Sequence, residues 1–160
     1  MIQRQVIDVV DTLPLYANGA YTTRPLSGIR FLVVHHSGVD VDSTPRQIAD
    51  YHTYKLGWPG IGYHFVIRFD GTIYQTNRIE TMSYNVASRN HECIGICVNG
   101  DFTSHHPFDA QLDSLRWLLK DLDTKLPNRE TVGHKEIALP GHGTGCPGNT
   151  WGEWRLEVIP

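Results

Sequence analysis

The sequence predicts an α/β fold: a single domain with a mixed central β-sheet, helices packed on its faces, and a cleft at the strand ends. Three observations carry this. Short apolar runs that read as buried strands alternate along the chain with segments of helical periodicity. One pair of strands is joined by an Asp-Gly turn, which makes part of the sheet antiparallel. The chain has 160 residues, 40% of them hydrophobic, enough to build one core and too apolar for a disordered segment.

Taken in order, residues 1–28 are broken by Pro14, Asn18-Gly19, Pro25 and Gly28, and read as an N-terminal extended arm packed on a domain that spans 29–160. Phe31-Leu32-Val33-Val34-His35-His36 is an apolar run closed by Ser37-Gly38, so it reads as a buried strand that delivers two histidines to a loop. Ser43 or Thr44 before Pro45 forms a helix start, and Ile48, Tyr51, His52 and Leu56 continue at helical spacing to Gly57, predicting a helix over 45–56. Residues 62–69 and 72–75 form the hairpin around Asp70-Gly71, and Cys93–Val98 is a further buried strand. Leu112, Leu115, Leu119 and Leu122 share one face of a helix from Asp109 to Leu126. A brief strand over 131–133 leads into His134, a Gly- and Pro-rich loop fills 138–150, and a short helix runs from Trp151 to Leu156. There is no internal repeat and no low-complexity tract.

Composition excludes several partners. A net charge of −3 with scattered Lys and Arg gives no footprint for nucleic acid. No segment approaches the roughly 18 apolar residues of a membrane span, and the N-terminus has no secretory apolar stretch, so neither a membrane partner nor a signal peptide is expected. Three cysteines are too few and odd in number for a disulfide framework, and Cys93 and Cys97 read as buried free thiols.

Nine histidines are many for a chain this size and direct attention to metal chemistry. Zinc prefers imidazole nitrogen and thiolate sulfur, and a catalytic zinc keeps one corner for water. His35, His134 and Cys146 can supply three such ligands from distant segments, although nine histidines allow many trios. Strand alternation puts His35 and His36 on opposite faces, so at most one joins the metal. Both faces are apolar upstream, and the pattern does not choose. Glu136 reads as a surface carboxylate, because no His-Glu-x-x-His helix aims it at a metal.

Five segments occur in a telling order: Val33-Val34-His35-His36-Ser37, Gly60-Ile61-Gly62-Tyr63-His64-Phe65, Ile94-Gly95-Ile96, Gly133-His134-Lys135-Glu136 and Thr144-Gly145-Cys146-Pro147-Gly148. Together, over residues 29–156, they resemble the type 2 N-acetylmuramoyl-L-alanine amidases, the family of phage lysozyme-type amidases and animal peptidoglycan recognition proteins. The resemblance implies His35, His134 and Cys146 as ligands of one catalytic Zn2+, with His36 beside them. It also implies Tyr63 and Thr144 as catalytic groups that stabilise an oxyanion, although a hydroxyl two residues before Cys146 suits a cap of that turn equally. Two departures stand out. Asn85 occupies a place where many relatives carry a substrate-facing histidine, and it can hydrogen-bond a sugar or peptide without becoming cationic. The His134-to-Cys146 loop is longer than in compact relatives and places His142 in the cleft wall. His36, Asn85 and His142 are the expected substrate-binding residues.

The implied activity is zinc-dependent hydrolysis of the lactyl–L-alanine amide of bacterial peptidoglycan or its muropeptides, by a monomer. The chain would then be made in the cytoplasm and act on the wall after release, as a phage or prophage endolysin does, or recycle wall fragments within the cytoplasm. A rival is a peptidoglycan-binding module without catalysis, but such members of the superfamily typically lack the Cys ligand, as the resemblance implies. A closed structural zinc site is the third reading, with His142 or His36 as its fourth ligand.

Overall fold

The computed structural model describes residues 4–16 and 19–159. Asn18, expected at a break in the arm, lies outside the described residues. Six strands form one sheet: β1 (Val6–Asp8), β2 (Phe31–His36), β3 (Phe65–Ile67), β4 (Ile73–Gln75), β5 (Cys93–Val98) and β6 (Glu130–Gly133). Their spatial order is β1-β4-β3-β5-β2-β6, and only β3 and β4 run antiparallel. The mixed sheet expected from the sequence is therefore observed. Among the described residues no helix is long and apolar enough to cross a membrane.

The central strands are apolar throughout because helices cover both faces. On one face Leu32, Val34, Ile94 and Ile96 pack with Leu115, Leu118 and Leu122 of α2 (Asp109–Lys125) and Trp151 and Trp154 of α4 (Trp151–Val158). On the other, Phe31, Val33 and Val132 pack with Ile137 of α3 (His134–Ile137), while Val66 and Cys97 meet Ile48 and Ala49 of α1 (Pro45–Asp50). Thr44 caps α1 in a reciprocal pair with Gln47, with Pro45 at the first helical position.

Two elements differ from the expected ones. The helix predicted over 45–56 stops being α-helical at Asp50 and widens into a π turn over Tyr51–Lys55. There the Thr53 hydroxyl donates to the Ala49 carbonyl at 2.7 Å, and the buried His52 accepts from the Gly62 N–H at 2.9 Å. Tertiary demand on His52 thus overrides regular helical spacing. The arm also adds a strand, since β1 lies parallel to β4 at the sheet edge. Its anchor is Arg24, whose guanidinium donates to the carbonyls of Thr81, Asn90 and Cys93 at 2.8, 3.2 and 2.7 Å.

Glycines allow one further close approach. A Cβ at Gly62 would lie 2.1 Å from the Tyr84 carbonyl oxygen, so the segment carrying Ser83, Tyr84 and Asn85 rests directly on the sheet there. Ser83 closes the contact by donating from its hydroxyl to the Gly62 carbonyl at 2.7 Å.

His64 is fully buried in this region and uses both ring nitrogens in hydrogen bonds. Its Nε2 donates to the Thr81 carbonyl at 2.7 Å, and its Nδ1 accepts from the Gly95 N–H at 3.0 Å. Burial holds its pKa down at about 3, against 6.5 for an exposed imidazole. The unfolded chain therefore takes up a proton near pH 6.5 that the folded chain refuses. The resulting stability is full above 6.5 and is lost toward pH 3, at about 1.4 kcal/mol per pH unit. Urea unfolding from about pH 7 to pH 4 should show a shallower decline in His64→Gln than in the wild type. Equal slopes would contradict a neutral buried His64.

Candidate metal centre

Strand register brings the first two donors together. β2 and β6 are parallel, with Val34 opposite Gly133, so the residues that follow are His35 on β2 and His134, the first residue of α3. Their ring centroids are 4.7 Å apart. His35 continues the face of Phe31 and Val33, whereas His36 turns to the opposite face, where its Nδ1 accepts from the Phe102 N–H at 3.2 Å. The choice that alternation leaves open is settled by packing: His35 lies with the other donors and His36 does not.

His134 opens α3, and its backbone is locked from behind. The Glu136 carboxylate accepts from the Gly133 N–H and from Trp151 Nε1 at 2.9 Å, and pairs with Arg155. Glu136 is exposed, as expected of a surface carboxylate, and at the same time braces α3 against α4. Gly133 is required because a Cβ there would lie 2.6 Å from Trp151 Nε1. Lys135 ties down the long loop, its N–H donating to the Cys146 carbonyl at 2.8 Å and its Nζ to the Gly148 carbonyl at 2.7 Å.

Cys146 is the third donor. Its Sγ lies 3.6 Å from His35 Nδ1 and accepts the His36 N–H at 3.4 Å. Ligand atoms of His35, His134 and Cys146 all fall within 4.8 Å of one another, and among the described residues no fourth His, Cys, Asp or Glu joins them. Burial pushes the Cys146 thiol up to about 12, against the pull of the His36 N–H and Lys135. Burial likewise holds His134 down at about 4, and burial followed by the neighbouring His134 holds His35 well below its ordinary value. The protein alone therefore presents two neutral imidazoles and a thiol that a cation would convert to thiolate. His35 Nε2 is buried without a partner. These donors fit a soft divalent ion such as zinc.

Tyr63 lies between His35 and His52, with ring centroids 5.3 and 5.4 Å away. Burial first, then the nearby Cys97 and Cys146, raise its pKa well above the ordinary value, so its hydroxyl stays protonated as a donor. The Thr144 hydroxyl accepts the Cys146 N–H at 3.1 Å and so caps the ligand turn, while its own proton remains available to a neighbouring oxygen. His36 and Asn85 line an inner cavity of about 220 Å3 that also contains Tyr63 and the three donors. Asn85 and His134 continue into an outer groove of about 460 Å3, where His142 forms part of the wall.

Sequence reasoning missed two groups here. Trp58 and Tyr84 line both cavities, with rings 5.9 Å apart at 78°. The signal available was an aromatic held just past the Gly57 helix end beside Pro59-Gly60, a turn that cannot bury a whole indole.

The family model for N-acetylmuramoyl-L-alanine amidase matches residues 23–149. The chain belongs to this family. It is 34% identical over 98 residues to the endolysin of Escherichia phage T7, covering 58% of this chain and 64% of that protein. It is 29% identical over 140 residues to peptidoglycan-recognition protein SC2 of Drosophila simulans, covering 81% and 74%. Among solved structures, the Ph2119 endolysin of a Thermus scotoductus bacteriophage superposes with a TM-score of 0.82 at 27% identity, over 96% of this chain and 99% of that one.

As an amidase-family member, this chain places its second histidine on a brace that can be cut. Glu136→Ala leaves the Trp151 indole N–H and the Gly133 N–H without their acceptor, and should lower unfolding stability by about 1–3 kcal/mol. Glu136→Gln keeps an acceptor and should retain most of that. Equal urea midpoints for wild type and Glu136→Ala would contradict the bracing role.

Proposed function

We propose that this protein is a zinc-dependent N-acetylmuramoyl-L-alanine amidase that hydrolyses the lactyl–L-alanine amide of peptidoglycan, with His35, His134 and Cys146 holding one Zn2+. The observation that carries the reading is the Cys146 thiol closing on two neutral histidines beside the cleft. When bound, zinc would polarise the scissile carbonyl as a Lewis acid and acidify water for attack. Three protein donors leave a corner for these oxygens, which supports a catalytic rather than a closed structural site.

The remaining chemistry belongs to the chain. Tyr63, kept protonated by burial, donates from its hydroxyl to the oxygen that gains negative charge. Trp58 and Tyr84 offer apolar faces on which a sugar ring can rest, and Asn85 and His142 offer polar edges along the same groove. Thr144 keeps the Cys146 turn in shape. On this reading the protein acts on the wall after release from the cytoplasm, or on soluble muropeptides within it.

Similarity to a peptidoglycan-recognition protein favours one second reading, binding without cleavage. The test is release of stem peptides from purified peptidoglycan, followed by mass spectrometry. Cleavage should stop when zinc is removed by a chelator and return when zinc is restored. Cys146→Ser should lose at least about a hundredfold in rate. Tyr63→Phe should keep its zinc and lose about 10²–10³ in kcat. Unchanged cleavage by verified zinc-free protein would overturn the zinc mechanism, and binding with no cleavage by zinc-loaded protein would leave only the recognition reading.

A further inference from the structure

Asn85 sits on the sheet where a side chain would normally be. A Cβ at Gly95 would lie 3.0 Å from Asn85 Cβ and 3.1 Å from its Oδ1, so glycine at that position admits the carboxamide. Gly95 pairs with Val33 on β2, and the next residues along the same face are Cys97 and His35, which pair with each other. The Asn85 carboxamide is therefore seated one pleat from the His35 ring, and both line the inner cavity.

The polar atoms there are complementary. His35 Nδ1 faces the Cys146 sulfur at 3.6 Å, which leaves Nε2 pointing elsewhere, buried and without a hydrogen-bond partner. Asn85 Oδ1 is likewise buried without a partner. Its orientation is fixed from the other side, because Nδ2 donates to the Ser83 carbonyl at 3.3 Å and the Asn85 N–H donates to Asn90 Oδ1 at 2.8 Å. A buried donor or acceptor left unpaired costs about 1–3 kcal/mol, so a ring N–H and a carboxamide oxygen lining the same cavity would each gain by pairing. A histidine that coordinates through Nδ1 must carry its proton on Nε2, and a second acceptor behind the ring commonly enforces this.

We propose that Asn85 is a positioning residue: its Oδ1 accepts from His35 Nε2–H, fixing the tautomer and ring orientation that present Nδ1 to the metal beside Cys146. The proposal rests on the zinc reading above, and it gives Asn85 a task in addition to facing substrate. Its consequence is that part of the metal affinity is set by the loop resting on Gly62 and Gly95.

The test uses the full chain labelled with 15N-histidine, free of metal at neutral pH, and long-range proton–nitrogen correlation spectra. The wild type should show His35 as Nε2–H. Asn85→Leu, which keeps the volume and removes the acceptor, should lose that preference and bind zinc about 10–100-fold more weakly in competition with a chromophoric chelator. Asn85→Asp, which keeps an acceptor oxygen, should hold the tautomer and recover most of the affinity. A wild-type Nδ1–H tautomer would overturn the proposal. So would equal weakening in both variants with the His35 tautomer unchanged, because Asn85 would then only fill the space over Gly95. Failure of the wild type to bind zinc would instead refute the zinc reading, while the tautomer comparison would still decide the role of Asn85.

Discussion

The register between β2 and β6 is the constraint on which the site depends. With Val34 opposite Gly133, the residue after each is a histidine, His35 on β2 and His134 at the start of α3. Because side chains alternate with a period of two, a slip of one residue would turn His35 into the α2 core and put His36 in its place. The buried faces prevent this. Leu32 and Val34 fit the leucine and tryptophan core, whereas Phe31 and Val33 fit the smaller cluster with Val132 and Ile137. Apolar packing thus decides which imidazole meets His134.

The third donor is brought in by polar ties rather than by packing. The loop from His134 to Cys146 has glycines at 141, 143 and 145 whose added Cβ atoms would meet nothing. What holds it is the chain of bonds from Lys135 to Cys146 and Gly148, from Thr144 to the Cys146 N–H, and from Glu136 to Trp151 and Arg155. A cysteine held close to two desolvated histidines is costly to ionise by itself. The same desolvation strengthens its attraction for a divalent cation.

The strands, the long helix α2 and the hairpin were legible in the sequence because each depends on local periodicity or turn chemistry. Less legible were features imposed from a distance. The π turn at Tyr51–Lys55 answers to Gly62 N–H contacting His52, and the arm's strand β1 answers to an open edge on β4. In the site, the three donors could be named from motif resemblance, but His35 could be separated from His36 only by knowing which face each buries. The spacing of Thr144 to Cys146 suits an oxyanion donor or a turn cap, and the hydrogen bond it accepts from the Cys146 N–H makes it a cap without using the hydroxyl proton. Trp58 escaped notice because its partner Tyr84 lies far away in sequence.

One coupling emerges from these parts. The 83–85 segment supplies both a cleft wall, through Tyr84, and an unpartnered carboxamide oxygen in the cavity that His35 lines, through Asn85. Its seat depends on glycines 62 and 95, so the outer groove and the candidate metal donors share a support. The most direct measurement of the central claim is zinc K-edge X-ray absorption on protein loaded with one equivalent of zinc. The account predicts a first shell with two imidazole nitrogens, one sulfur and one light oxygen atom. A shell without sulfur, or one filled by four protein ligands, would contradict it.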